Sequence, residues 1–298
     1  MNKKVGFIGV GVMGKPMSLN LIKAGYPLVV YDLNPKPLDE LKQAGAAIGQ
    51  SNMDVASQSD IIITMLPKSE HVEAAVLGEQ GAFEGVRDGA TLIDMSTIDP
   101  GVSKRISKLL SAKGVNMLDA PVTGGETGAQ KGSLTIMVGG SKDVYDQCLD
   151  IFKVMGEKIF YCGPSGNGEI VKVINNLFGG IHAMSTAEAL SLGVKAGVDF
   201  KVLYDVICEG TGATNFMQFY CAMKAFKEDY EPGFPSELMQ KDLGLAVTLA
   251  KEKEVPLFLG GLTYQMFTQV NASGVGKKDF SIVIKAFEDL LGVRLKFS

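Results

Sequence analysis

The glycine-rich run from Gly9 to Gly14 is the first segment whose residue types and spacing could do chemistry. It reads Gly9-Val10-Gly11-Val12-Met13-Gly14, directly after an apolar run and before a helical pattern. In such a turn the first glycine permits a tight bend, the second admits a pyrophosphate, and the third lets helix and strand pack closely. The N–H groups that begin the helix then face the phosphates. We therefore expect all six residues to contact a dinucleotide.

Asp32 ends the second predicted strand, where an acidic side chain can accept hydrogen bonds from both hydroxyls of a ribose. The alternative is an ordinary turn-forming aspartate before Asn34-Pro35. Leu33 and Asn34 follow Asp32, so no arginine stands ready to compensate a 2′-phosphate. The sequence predicts NAD as the cofactor and makes NADP the less favoured choice.

A turn of Thr123, Gly124 and Gly125 follows another predicted strand, at the edge where open α/β sheets bind ligands. Its backbone N–H groups and its hydroxyl could point at one anion. The residues alone leave a simple glycine turn equally open.

A proline-free stretch predicts one helix from Gly168 to Ala196. One stripe along this helix, with polar side chains beside nearly bare backbone, consists of Lys172, Asn176, Gly179 and Ala183, which share one face at i, i+4, i+7 and i+11 spacing. A lysine on a helix is usually solvated, or lies at the margin of a packed face. Glycines at 179 and 180 weaken a helix interior, so we expect another element to approach closely there. Apolar residues form a second stripe: Ile170, Ile174, Leu177, Ile181 and Met184.

Three further polar residues carry weaker signals. Lys241, beside Asp242 in a predicted helix, has the spacing of ordinary surface charge. His71 and His182 are the only histidines, and we expect neither to serve as an acid or base. With four scattered cysteines and no C-x-x-C pair, the chain is not expected to bind a metal.

The elements around these residues predict an α/β fold. Residues 1–163 alternate short apolar runs with helices, a pattern typical of a parallel sheet covered on both faces, here a Rossmann doubly wound sheet. Helical periodicity then continues through residues 164–298, which predicts a long interdomain helix and an all-α domain for substrate binding and oligomerisation. The predicted strands are Val5–Ile8, Leu28–Tyr31, Asp60–Met65, Thr91–Asp94, Asn116–Asp119 and Leu134–Val138.

Bulk properties exclude several classes of function. The chain has 298 residues, 46% hydrophobic and 21% charged, and a net charge of −4. Since no basic run is present, we expect no nucleic-acid partner and no anionic membrane surface. The first residues show too short an apolar run for a signal peptide, and no apolar stretch reaches the ~20 residues of a membrane span. We expect a cytoplasmic location.

Four motifs, taken together, resemble the 3-hydroxyisobutyrate dehydrogenase or β-hydroxyacid dehydrogenase family, which includes tartronate semialdehyde reductase and 2-(hydroxymethyl)glutarate dehydrogenase. The resemblance covers nearly the whole chain, with the motifs in order and at compatible spacing. They are Gly6 to Met17, Asp119 to Gly125, Gly163-x-x-Gly166-x-Gly168-x-x-x-Lys172-x-x-Asn175-Asn176, and Lys241-Asp242-Leu243.

The resemblance implies roles that spacing alone leaves open. Lys172 would be the catalytic residue, with Asn176 beside it. The substrate carboxylate would be held at 123–125, where the family commonly has serine in place of Thr123. Asn175 would belong to the same substrate site, and Lys241 would reach both substrate and cofactor. Leu66, Pro67 and Thr97 match family positions near the nicotinamide.

These observations predict an NAD-dependent oxidoreductase that interconverts a small 3-hydroxy carboxylate and its semialdehyde, with Lys172 as general acid and base. We also expect a homodimer or homotetramer. Two alternatives stay open: a reductase of another small acidic aldehyde, such as sulfolactaldehyde, or of an imine, and a non-catalytic nucleotide-binding module. The sequence does not name the substrate.

Overall fold

The computed structural model describes residues 3–297, which form two compact units. The first unit ends at Lys172 and the second begins at Val173. The predicted division at residues 163 and 164 stays a prediction about the domains.

A mixed sheet forms the centre of the first unit. Among the described residues its strands are β1 (Val5–Ile8), β2 (Leu28–Tyr31), β3 (Ala47–Ile48), β4 (Ile61–Thr64), β5 (Thr91–Asp94), β6 (Asn116–Asp119), β7 (Val122–Thr123), β8 (Leu134–Gly140) and β9 (Gly156–Gly163). Their order is β3-β2-β1-β4-β5-β6-β8-β7, with β9 paired to β8. The run 3-2-1-4-5-6 is the Rossmann order, so the predicted fold class is confirmed.

The expectation of a parallel sheet is wrong at one edge. Strand β8 runs antiparallel to both β6 and β7. Only residues 124–133 join β7 to β8. A parallel crossover needs about a dozen residues or more, so this connection reverses the chain direction. The two-residue strands β3 and β7 and the largely exposed β9 carry weak apolar signals and were not predicted.

Helices cover both faces of the sheet. They are α1 (Gly14–Lys23), α2 (Lys36–Gln43), α3 (Asn52–Ser57), α4 (Ser69–Leu77), α5 (Ala82–Gly85), α6 (Pro100–Ser111), α7 (Gly125–Lys131) and α8 (Lys142–Met155). Strand residues alternate between two buried clusters: Ile61 and Ile63 join one, and Ile62 joins the other. Since both faces are buried, the central strands read as continuous apolar runs.

The second unit is helical. The long helix α9 (Asn167–Lys195) begins in the first unit and continues into the second. It lies within one residue of the predicted helix at each end. The other helices are α10 (Phe200–Glu209), α11 (Ser236–Glu252), α12 (Phe258–Val270) and α13 (Ile282–Leu291), with shorter helical segments at Phe216–Cys221, Ala225–Lys227 and Asn271–Val275.

One buried carboxylate fixes the loop that leads into α11. Asp279 accepts hydrogen bonds from the Tyr220 hydroxyl at 2.6 Å and from the backbone N–H groups of Gly233 and Phe234 at 3.0 and 3.1 Å. It also accepts bonds from the N–H and hydroxyl of Ser281. Because these donors would be unsatisfied without it, Asp279 holds the start of the helix that carries Lys241.

Candidate active site

The glycine turn between β1 and α1 has the geometry that a dinucleotide needs. Gly9 has φ of +91°, and an added Cβ would lie 2.5 Å from the Met65 carbonyl oxygen. A Cβ at Gly14 would overlap the Gly9 carbonyl. A Cβ at Gly11, in contrast, would meet no described atom within 4 Å. Gly9 and Gly14 are therefore required by packing, whereas Gly11 faces open space on the side where the sequence predicts the pyrophosphate.

The carboxylate of Asp32 is fixed against this turn. Its Oδ2 accepts a hydrogen bond from the Val10 N–H at 2.8 Å, and its Oδ1 accepts one from the Asn34 N–H at 2.7 Å. Val12 and Leu33 are exposed, and Met13 is half-buried. No side chain caps the start of α1 within the described residues, so its first N–H groups could bind phosphate.

A buried carboxylate also ties together the loops after β4 and β5. Asp94 Oδ1 accepts hydrogen bonds from the Thr64 hydroxyl at 2.8 Å and the Ser96 N–H at 3.1 Å, while Ser96 Oγ accepts one from the Leu66 N–H. Burial raises the pKa of Asp94, against the effect of these bonds. The network brings Leu66-Pro67 and Thr97 to the carboxyl ends of neighbouring strands.

The predicted anion-binding turn follows β6 and β7. Thr123 pairs with Thr135 across the antiparallel ladder, and its side chain is half-buried. Gly124 has φ of +130° and Gly125 has φ of +61°, so both positions favour glycine. Helix α7 begins at Gly125. The turn therefore lies at the sheet edge where the sequence placed it.

Helix α9 presents its polar stripe to the interior. Lys172 and Asn176 are each 6% exposed, whereas Ile174 is 40% exposed. The helix face that carries Lys172 and Asn176 is therefore buried. Ile174, in the apolar stripe, is exposed instead. Within the second unit, a Cβ at Gly180 would lie 2.8 Å from a methyl group of Leu243, which confirms the expected close approach.

A chain of polar contacts surrounds Asn176 in the second unit. Asn176 Nδ2 donates to Asp242 Oδ2 at 2.5 Å, and Asn175 Nδ2 donates to Asn176 Oδ1 at 3.0 Å. Asp242 Oδ1 lies 2.9 Å from Lys241 Nζ. The structure therefore brings Asn175, Asn176 and Lys241 together.

Asp242 is the member of this cluster that sequence reasoning missed. It is buried on α11 together with Met239, Leu243 and Ala246. The sequence did contain a signal for its burial: Asp242 occupies the i+3 position of an apolar i, i+3, i+4, i+7 stripe that begins at Met239.

The two histidines lie elsewhere. His71 is exposed at the start of α4, and His182 is half-buried with its ring 5.9 Å from that of Phe178. Among residues 3–297, no group of three or more histidine, cysteine and acidic residues could hold a metal ion. Within the same range, no helix combines the length and the apolarity that crossing a membrane requires.

The Rossmann strand order, the glycine turn and an acidic residue after β2 define a nucleotide-dependent oxidoreductase. Comparison with known proteins agrees. Residues 4–163 match the family described as the NAD binding domain of 6-phosphogluconate dehydrogenase. Residues 166–287 match the family described as NAD-binding of NADP-dependent 3-hydroxyisobutyrate dehydrogenase.

Individual relatives give the same assignment. A probable mitochondrial 3-hydroxyisobutyrate dehydrogenase of Dictyostelium discoideum is 42% identical, over 95% of this chain and 90% of that protein. An NAD-dependent L-serine dehydrogenase of Pseudomonas aeruginosa is 38% identical, over 97% and 99%. The structure of Mycobacterium tuberculosis 3-hydroxyisobutyrate dehydrogenase with L-serine superposes with a TM-score of 0.87, at 32% identity, and covers 96% of this chain and 99% of that one.

The chain belongs to the 3-hydroxyisobutyrate dehydrogenase family. It is a hydroxyacid dehydrogenase that uses NAD. The predicted family, enzyme class and cofactor are confirmed.

The open space at Gly11 gives a direct test of the cofactor site. Gly11→Ala should fold normally, because the added methyl group meets no described atom within 4 Å, yet it should lower NADH affinity at least ~10-fold by blocking the pyrophosphate. Gly261→Ala is the matched control, since its Cβ also meets no described atom. Fluorescence titration with NADH and thermal melting of both variants would check this. Equal NADH affinity in the two variants would contradict the placement of the pyrophosphate.

Proposed function

We propose that the enzyme interconverts the primary alcohol of a small 3-hydroxy carboxylate and its semialdehyde, with Lys172 as the general acid and base. The observation that carries the proposal is the burial of Lys172 one helical turn before the equally buried Asn176. A lysine is rarely buried on a helix without a specific role. The names of the relatives, which include dehydrogenases of 3-hydroxyisobutyrate and of L-serine, support the same substrate class.

In the direction of oxidation, bound NAD would accept the hydride from the carbon that bears the hydroxyl group. The neutral amine of Lys172 takes the hydroxyl proton as the C–O bond becomes a carbonyl. In reduction the ammonium form of Lys172 returns that proton to the carbonyl oxygen. Proton and hydride thus leave or enter together, and the alcohol and the aldehyde interconvert with the charge balanced.

The remaining predicted residues bind and orient. Thr123, Gly124 and Gly125 hold the substrate carboxylate through N–H groups and a hydroxyl. Asn175 and Asn176 contact the substrate, and the hydrogen bonds of Asn176 to Asp242 and Asn175 support a fixed orientation of its amide. Lys241 contacts both substrate and cofactor. At the nicotinamide end, Leu66, Pro67 and Thr97 border the cofactor.

Removal of the Lys172 amine is the central test. Turnover should first be measured with a panel of 3-hydroxy acids and semialdehydes that includes L-serine and 3-hydroxyisobutyrate. With the best substrate, Lys172→Ala should lower kcat by ~10²–10⁴-fold and leave NADH affinity nearly unchanged. Lys172→Arg should be nearly as inactive, because a guanidinium keeps its proton. In the unmodified enzyme oxidative kcat/KM should rise with pH, because only the neutral amine can take the hydroxyl proton, and this rise should vanish in Lys172→Ala.

Four outcomes would redirect the proposal. If Lys172→Ala keeps more than about a tenth of the turnover, or fails only because NADH no longer binds, Lys172 is not the proton carrier. If the methyl ester of the best substrate reacts as well as the acid, the 123–125 turn does not hold a carboxylate. Turnover only with imines or sulfonated aldehydes would support the alternative substrates, and no turnover at all would support a non-catalytic nucleotide-binding module.

The preference for NAD over NADP rests on Asp32 and on the exposed Leu33 beside it. A 2′-phosphate would meet the Asp32 carboxylate without a compensating cation, which should disfavour NADP by ~1–3 kcal/mol, or roughly 5- to 150-fold in kcat/KM. Asp32→Ser with Leu33→Arg should reverse much of this preference, whereas Leu33→Gln, the uncharged control, should not. Equal kcat/KM for NAD and NADP in the unmodified enzyme would refute the assignment.

We also propose a homodimer or homotetramer in the cytoplasm. Large apolar side chains are exposed close together on helix α12 of the second unit, at Phe258, Leu259 and Leu262, and apolar surface of this kind supports an interface. The four free cysteines suit a reducing compartment. Sedimentation should give a dimer or tetramer mass that Phe258→Glu with Leu262→Glu lowers. A monomer in the unmodified protein would contradict the oligomer.

A further inference from the structure

The junction between the end of β6 and the start of α9 is built on one carboxylate, Asp119. This side chain is fully buried. Its Oδ1 accepts a hydrogen bond from the Gly166 N–H at 2.6 Å, and its Oδ2 accepts one from the Glu169 N–H at 3.2 Å. The Gly168 N–H donates to the same carboxylate. The first N–H groups of a helix have no partner within the helix, so Asp119 supplies acceptors that α9 otherwise lacks.

There is no spare room at this junction. A Cβ at Gly139 would lie 2.5 Å from Asp119 Oδ2 and 2.8 Å from the Gly168 nitrogen. A Cβ at Gly168 would lie 2.7 Å from the Asp119 carbonyl oxygen and 2.8 Å from Asp119 Oδ2. The start of α9 therefore packs against the sheet through the glycine backbone at 139 and 168. The Asp119 side chain lies between the helix and the sheet and spaces them.

A second hydrogen bond restrains the same turn of helix. The buried carboxylate of Glu169 accepts from the Ile98 N–H at 3.1 Å, directly after Thr97. The first turn of α9 is thus tied to the strand that leads to the 123–125 turn and to the loop after β5. Lys172 follows Glu169 by three residues, so a displacement of this first turn moves its amine.

We infer that Asp119 is a positioning residue, which acts on catalysis by holding the start of α9 and thereby the amine of Lys172. The inference rests on the proposed role of Lys172. It explains why the motif has glycine at 168, four residues before the lysine, where a Cβ would lie 2.8 Å from the Asp119 carboxylate. Misplacement of a catalytic group by about 1 Å can cost ~10²-fold in rate, so a defect at this junction should appear in the chemical step.

Asp119→Asn keeps the shape of the side chain but places an N–H₂ group opposite helix N–H groups. It should lower kcat by ~10- to 100-fold, with little change in substrate KM and NADH affinity. The primary deuterium isotope effect on kcat should increase, because hydride and proton transfer become more rate-limiting. Asp199→Asn is the matched control: Asp199 caps α10 by accepting from the Val202 N–H, and its loss should leave kcat unchanged.

A double-mutant cycle separates positioning from other effects. In the Lys172→Ala background no amine is left to position, so Asp119→Asn should not lower the remaining turnover further. A loss by the same factor as in the unmodified enzyme would overturn the inference, as would a raised KM with kcat intact, which points to the 123–125 turn. Lower thermal stability with unchanged kcat would leave Asp119 a structural residue only.

Failure of the proposed function gives a different result, because Lys172→Ala itself would then retain turnover.

If Asp119→Asn does not fold, Gly139→Ala tests the same junction. Its methyl group would press on the Asp119 carboxylate from the sheet side, and its φ lies outside the left-handed region, so alanine fits the backbone. The same fall in kcat, with KM retained and no further loss in the Lys172→Ala background, is expected. An unchanged kcat would overturn the inference.

Discussion

The backbone N–H groups at the start of a buried helix need acceptors, and in the first unit the carboxylate of Asp119 provides them for α9. The packing of the start of α9 against β6 and β8, just before Lys172, depends on these hydrogen bonds. It sets the distance between helix and sheet, requires glycine at 139 and 168, and leaves the lysine one turn along a helix with little freedom to shift. Burial raises the pKa of Asp119, and the helix N–H groups oppose that effect.

Buried carboxylates organise backbone elsewhere in the same way. Asp94 joins the loops after β4 and β5 through Thr64 and Ser96, and Asp279 fixes the loop before α11 in the second unit. Each accepts two or more hydrogen bonds, and at least one donor in each case is a backbone N–H. Because such bonds are strongest away from water, a few acidic residues can hold irregular segments at fixed positions. Several of the residues proposed to bind the cofactor, namely Gly9 to Met13, Leu66-Pro67 and Thr97, lie in irregular segments.

The polar cluster of the second unit follows a related principle. Asp242 accepts from the amide of Asn176 and lies beside Lys241 Nζ. A free carboxamide can exchange the positions of its oxygen and its NH₂ group by rotation at little energetic cost. The amide of Asn176 has a single favoured orientation, because its Nδ2 donates to the Asp242 carboxylate and its Oδ1 accepts from Asn175. Fixed donors and acceptors reduce the reorganisation required when a substrate binds.

The sequence alone was sufficient for the fold class, four strands with their bounds, the long helix and the glycine turn, because each depends on local periodicity or on glycine conformation. It did not predict β3, β7 and β9, whose short or exposed strands carry little apolar signal, nor the antiparallel edge. Spacing showed that Lys172 and Asn176 share a helical face, but burial of that face depends on which elements pack against it. The same limit applies to the carboxylates of Asp119, Glu169 and Asp242. Their hydrogen-bond partners lie 47, 71 and 66 residues away along the chain, and only folding brings groups so distant together.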